Sequence, residues 1–113
     1  GKAQRDKGAR GERELSRILF DLTGIPTRRL LGQERDGGCD IRFGPLDIQV
    51  KRQERLSLPQ WVKQAEDDCT PGQIPIVAYR RSGAPWYVVI RLEDFVALIR
   101  EELAYGEEEP PEG

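Results

Sequence analysis

The stretch "CDIRFGPLDIQVK", residues 39–51, constrains the fold more than any other part of the chain. Apolar residues alternate with polar ones on both sides of a Gly-Pro pair: Ile41 and Phe43 before it, Leu46, Ile48 and Val50 after it. A period of two belongs to half-buried strands, so the segment reads as two short strands joined at Gly44 and Pro45. If those two residues form the turn, Arg42 lies across from Asp47 and Asp40 across from Gln49. Gly-Pro is not a favoured hairpin dipeptide, so the register is open to a shift. The faces are not, because they follow from alternation: Asp40, Arg42, Asp47, Gln49 and Lys51 share the side opposite the apolar one.

Helical spacing flanks this hairpin. In "GARGERELSRILFDLTG", Leu15, Ile18, Leu19 and Leu22 stand at i, i+3, i+4 and i+7, one buried stripe that Gly24 brings to a stop. Glu12 falls on the same stripe one turn upstream, at the edge of the core, where a carboxylate needs a partner. An arginine salt bridge or a first-turn dipole contact would meet that need. "IPTRRLL" reads as a first strand and "GQERDGG" as a loop. "SLPQWVKQAEDD" reads as a helix with Ser57 as N-cap and Leu58, Trp61, Val62 and Ala65 turned inward. "PIVAY" and "WYVVIR" read as strands, and "LEDFVALIREELA" as a closing helix with Leu92, Phe95, Val96 and Ile99 in register. The whole predicts an α/β domain, a mixed central sheet of about five strands flanked by helices.

At 113 residues the chain accommodates one core and one site, here assigned to residues 1–106, with "GKAQRDK" as a flexible arm and 107–113 as an acidic disordered tail. No apolar run is long enough for a membrane span and no secretory leader is visible, so a cytoplasmic location is expected. Histidine is absent and Cys39 and Cys69 form no Cys-x-x-Cys pair, which argues against a zinc cluster and for ordinary reduced thiols. The net charge of -2 conceals a gradient: residues 1–63 carry 14 Lys/Arg against 9 Asp/Glu, while 64–113 carry 4 against 11. Basic residues thus gather in the half that holds the hairpin, as phosphate contacts would require. Trp61, Trp86 and Tyr87 are read as core or interface residues in preference to base-stacking platforms.

The polar face has its own chemistry. Asp40, Gln49 and the Val50 carbonyl each offer an oxygen, a set that suits a hard cation such as Mg²⁺. Lys51 lies on the face of Gln49, about 6.6 Å further along the strand. A cation that activates water and an ammonium beside it suffice for phosphodiester hydrolysis without histidine, a covalent nucleophile or an organic cofactor.

Asp, a turn and a strand ending in Gln-x-Lys resemble the PD-(D/E)xK nuclease core. "KGARGEREL" is similar to the N-terminal helix motif of archaeal and phage Holliday junction resolvases, and "PWYVVIRLEDF" resembles the closing strand and helix of phage-encoded members. The resemblance runs from Lys7 to about Leu98 and implies a restriction-endonuclease-like core. Residue by residue it implies a metal at Asp40, Gln49 and Glu12, with Glu12, Arg13, Asp40, Gln49 and Lys51 as the catalytic residues and Arg29 on phosphate. Lys7, Arg10, Arg13, Arg28, Arg29, Arg52 and Arg55 are the candidate DNA contacts. Gln49 departs from the usual Glu and removes one negative charge, which at about 4 Å from a cation is worth a few kcal/mol at an effective dielectric near 20.

Implied is a Mg²⁺-dependent, structure-selective endonuclease, a homodimer cutting four-way DNA junctions, with Mn²⁺ able to substitute. Two alternatives stand beside it: a related nuclease acting on flaps, nicks or duplex, and a junction-binding protein of weak activity because of Gln49. Trp61, Trp86 and Leu92 are candidates for the dimer interface as well as for the core.

Overall fold

A computed structural model of the chain describes residues 2–29 and 39–108, with side chains described for 9–29 and 39–105. The elements run α1 (Lys2–Thr23), β1 (Arg28–Arg29), β2 (Ile41–Phe43), β3 (Leu46–Arg52), α2 (Leu58–Asp67), β4 (Ile74–Arg80), β5 (Tyr87–Val89), α3 (Leu92–Leu98) and α4 (Arg100–Glu108). The five strands form one sheet in the order β1-β2-β3-β4-β5. Strands β1, β2 and β3 are antiparallel neighbours, β4 runs parallel to β3 with α2 as the crossover, and β5 returns antiparallel. This is the mixed α/β sheet expected from the strand and helix spacing.

The hairpin has the register that the two-residue turn requires, with Ile41 opposite Ile48, Arg42 opposite Asp47 and Phe43 opposite Leu46. Gly44 has φ +56°. With the proline ring holding Pro45 near -65°, the pair supplies the signs of φ that a type II′ turn needs. Gly-Pro therefore serves this turn despite its rarity. The loop before β4 braces it, since the Ile74 N–H donates to the Pro45 carbonyl (2.8 Å) and Gln73 Nε2 to the Gly44 carbonyl (3.0 Å).

Two helices cover opposite faces of the sheet. On one side Leu15 of α1 packs with Ile41, Ile48, Val50, Ile76 and Ala78; on the other Trp61 and Ala65 of α2 pack with Val77. Fully burying a side chain such as Ile41 contributes about 2 kcal/mol, and both sides of the sheet draw on such residues. The approach of α1 to β3 is close: a Cβ at Gly11 would stand 2.6 Å from Arg52 Cγ. That contact gives the second glycine of "KGARGEREL" a packing role. Further along α1, Glu14 accepts hydrogen bonds from Trp86 Nε1 (2.9 Å) and from Arg80, tying the helix to the far end of the sheet. Burial raises the Glu14 carboxyl, but those two bonds and the arginine charge outweigh it and leave it below its ordinary value.

Several expectations are corrected. The first helix begins at Lys2, so residues 2–7 continue it instead of forming an arm. Leu22 is 77 % exposed, outside the core cluster that Leu19 and Leu15 reach one and two turns earlier, and Gly24 (φ +73°) closes the helix as expected. Ser57 stands at the N-cap of α2 but its hydroxyl makes no cap bond. The closing helix divides at Ile99 into α3 and α4, and α3 has no buried residue; Leu92 is 76 % exposed, and Phe95 and Val96 are also exposed. With α1 and α2 already on the two faces, that stripe finds no strand to cover. Trp61 and Trp86 pack into the core clusters, so of the three interface candidates only Leu92 lies open at the surface. Helix α4 runs to Glu108, two residues past the expected domain boundary. Residues 30–38, with the end of the predicted first strand and its Gly-rich loop, and 109–113 of the tail lie outside the described residues. Among the described residues no helix is long and apolar enough to cross a membrane.

Candidate active site

The register brings Asp40 to the Gln-Val-Lys strand. Its N–H donates to the Ile48 carbonyl (3.0 Å), continuing the β2–β3 ladder, and its Oδ2 accepts the Val50 N–H at 2.8 Å. The carboxylate is thus anchored on the backbone between Gln49 and Lys51, and Asp40 and Gln49 are cross-strand neighbours. Both are buried, Gln49 to 2 % exposure.

Gln49 and Lys51 face α2. Lys51 Nζ donates to Gln64 Oε1 at 2.9 Å, and Gln49 Nε2 donates to Asp68 Oδ2 at 3.4 Å. An ammonium has three N–H donors, of which the Gln64 bond uses one. Asp47, on the same face two residues before Gln49, is held differently. It accepts bonds from Arg42 Nε (2.9 Å), the Thr70 N–H (2.8 Å) and Gln73 Nε2 (3.1 Å). Burial raises its carboxyl, and those bonds outweigh the burial and hold it below the ordinary carboxylate value.

Glu12 is 6 % exposed and meets the need for a partner through Arg29, whose Nη2 and Nε donate to its Oε2 at 3.0 and 3.3 Å. The salt bridge expected for a carboxylate at the core edge is therefore formed, and it joins two of the predicted site residues to each other. Glu12 reaches the sheet from α1, the side opposite to α2. Among the basic candidates Arg10, Arg13, Arg28 and Arg55 are exposed, Arg52 donates through Nη1 to the Arg80 carbonyl (3.2 Å), and the side chain of Lys7 lies outside the described ones.

The Asp40 carboxylate, the Gln49 amide oxygen and the Val50 carbonyl are all oxygen donors, the type that a hard divalent cation takes. Among the described residues no three of His, Cys, Asp and Glu gather to hold a metal. Thiol chemistry has no footing beside it. Burial, with the Asp47 charge next, pushes the Cys39 thiol up to about 11, and burial raises Cys69 as well.

Gln64 and Asp68 are the residues that sequence reading missed, although a signal was present. Asp68 lies seven residues after Trp61 and three after Ala65, on the inward stripe of α2, and Gln64 borders that stripe. Polar residues there face the sheet, and the polar side of β3 is what they face.

Neither the curated proteins nor the solved structures contain a match to this chain. A family model described as "Phage putative PDDEXK endonuclease" matches residues 3–107, nearly the whole sequence and all of the sheet. The fold, the Asp40 to Lys51 hairpin and that match agree, and the chain belongs to this phage PD-(D/E)xK endonuclease family.

Proposed function

We propose that the protein is a Mg²⁺-dependent, structure-selective DNA endonuclease that cuts four-way junctions, with Asp40, Gln49 and Lys51 at its centre and Mn²⁺ able to replace Mg²⁺. The observation that carries this reading is the 2.8 Å bond from the Val50 N–H to Asp40, which ties the aspartate to the strand that bears Gln49 and Lys51. Asp40, the Gln49 amide oxygen and the Val50 carbonyl would hold the cation, which when bound supplies Lewis acidity at the phosphoryl oxygen and lowers the pKa of an attacking water.

The chain's own groups do the rest. Lys51, steadied by Gln64, directs an N–H donor at the attacking water and a non-bridging phosphate oxygen, where negative charge develops. Arg29, oriented by Glu12, contacts the sugar-phosphate backbone, and the exposed Arg10, Arg13, Arg28 and Arg55 extend that contact without reading sequence. In this reading Glu12, which reaches the sheet from the face opposite Gln49 and Lys51, acts on the substrate through Arg29. Selectivity then comes from the shape of the DNA. A junction offers two symmetry-related strands, which suits a two-fold homodimer. The exposed Tyr87 and Val88 on the edge strand and Leu92 on α3 offer apolar surface for its interface.

Gln49 favours one further reading, a junction-binding protein with little activity. One assay separates them: a labelled four-way junction and a linear duplex of the same sequence, with Mg²⁺ or Mn²⁺, beside Asp40→Asn. Paired symmetric nicks confined to the junction are expected. Cutting of both substrates would leave a nuclease of flaps, nicks or duplex, and tight junction binding without nicks in either metal would leave the binding protein. A monomer mass by light scattering on the junction would remove the homodimer.

A further inference from the structure

Gln64 of α2 and Asp68, the residue that caps the helix in αR conformation, lie four positions apart, a spacing that puts about 5–6 Å between Cβ atoms. Lys51 and Gln49 lie two residues apart on one face of β3, about 6.6 Å. The two spacings match, and the contacts run in order: Gln64 with Lys51, Asp68 with Gln49. Asp68 caps the C-terminus of α2, its N–H bonded to the Gln64 carbonyl at 2.9 Å. Its side chain is therefore set by the last turn of the helix.

An amide has two ends of opposite sense, and packing alone distinguishes them poorly. A carboxylate only accepts, so Asp68 draws the nitrogen of Gln49 towards α2 and turns its oxygen the other way. The strand register leaves Asp40 as the cross-strand neighbour of that residue. Resting on the nuclease reading above, we propose that Asp68 is a positioning residue of the site: it fixes the Gln49 oxygen for a divalent cation and returns the negative charge that Gln49 lacks. The C-terminal end of α2 adds partial negative charge at the same place. On this account Gln49 and Asp68 are complementary, and a glutamate at 49 would face a like charge.

A double-mutant cycle on the full chain tests this, with two readouts: the thermal midpoint in EDTA and the affinity for Mn²⁺ alone, followed by its electron paramagnetic resonance. Gln49→Glu should lower the midpoint by about 4 °C or more, and adding Asp68→Asn should restore it, because the asparagine amide donates to Glu at 49. Asp68→Asn by itself should weaken Mn²⁺ binding about 10-fold, since an asparagine can present either end to Gln49. The double variant should bind Mn²⁺ more tightly than the natural chain. Additive midpoints would overturn the proposal. So would coupled midpoints with Mn²⁺ affinity unmoved by Asp68→Asn, which would make the pair merely structural. Coupling in both readouts by a protein that nicks no DNA would support the positioning role while the nuclease reading fell.

Discussion

Asp47 and Gln49 are two residues apart on the same strand, point to the same face and are equally buried, yet they are held in opposite ways. Asp47 sits in a complete cage: Arg42 across the hairpin, the Thr70 N–H and Gln73 from the loop before β4 all donate to it. Gln49 donates to Asp68 at the C-cap of α2 and Lys51 to Gln64 within it, at 3.4 and 2.9 Å, with an anchored carboxylate alongside. The first end of the face spends its polar groups on fixing the turn and the crossover. The second end keeps an amide oxygen and an ammonium group on long side chains, as the proposed cation and phosphate site requires. On the proposed reading one alternating strand thus carries a structural half and a chemical half, and burial alone does not tell them apart.

The difference makes predictions of decreasing size. At the chemical end, Lys51→Ala should lower the nicking rate on the order of 10³-fold, measured under single turnover. Its thermal midpoint should barely move, because the bond to Gln64 is exposed. At the structural end, Asp47→Ala should cost about 2 kcal/mol in urea unfolding, since it leaves the part-buried Arg42 and two further donors without their acceptor. A large loss of stability in Lys51→Ala would erase the division.

Smaller effects sharpen the same picture. Gly11→Ala gains helix propensity but forces Arg52 aside, and a net loss of about 1 kcal/mol is expected. In acid, the depressed carboxyls of Asp47 and Glu14 contribute stability that is complete above their ordinary values of 3.8 and 4.5 and is lost as pH falls below them. The thermal midpoint should therefore decline below pH 4.5, and less steeply in Asp47→Asn. An unchanged slope in that variant would mean that the cage does not couple to folding.

Much of this was legible in the sequence because it rests on short-range periodicity. Alternation in residues 39–51 fixed the faces, and the register of a two-residue turn, which the rarity of Gly-Pro left open, is the one observed. The inward stripe of α2 and the edge position of Glu12 followed from helical spacing in the same way. Less legible was whatever depends on what lies across from an element. The stripe of α3 has the right period for burial, but both faces of the sheet are occupied and Leu92 remains in solvent. Partner identity was equally hidden, as with Arg29 for Glu12, Trp86 for Glu14 and Asp68 for Gln49, because each pair is joined through the fold across 17, 72 and 19 positions of sequence.

The most direct test sets Asp40→Asn beside Asp47→Asn and follows nicking of a four-way junction at a temperature where both remain folded. An asparagine at 40 can still accept the Val50 N–H, so that bond is kept while the charge is lost. The account predicts that Asp40→Asn falls on the order of 10³-fold while Asp47→Asn keeps the natural rate. Equal losses in the two variants, or a greater loss in Asp47→Asn, would contradict it.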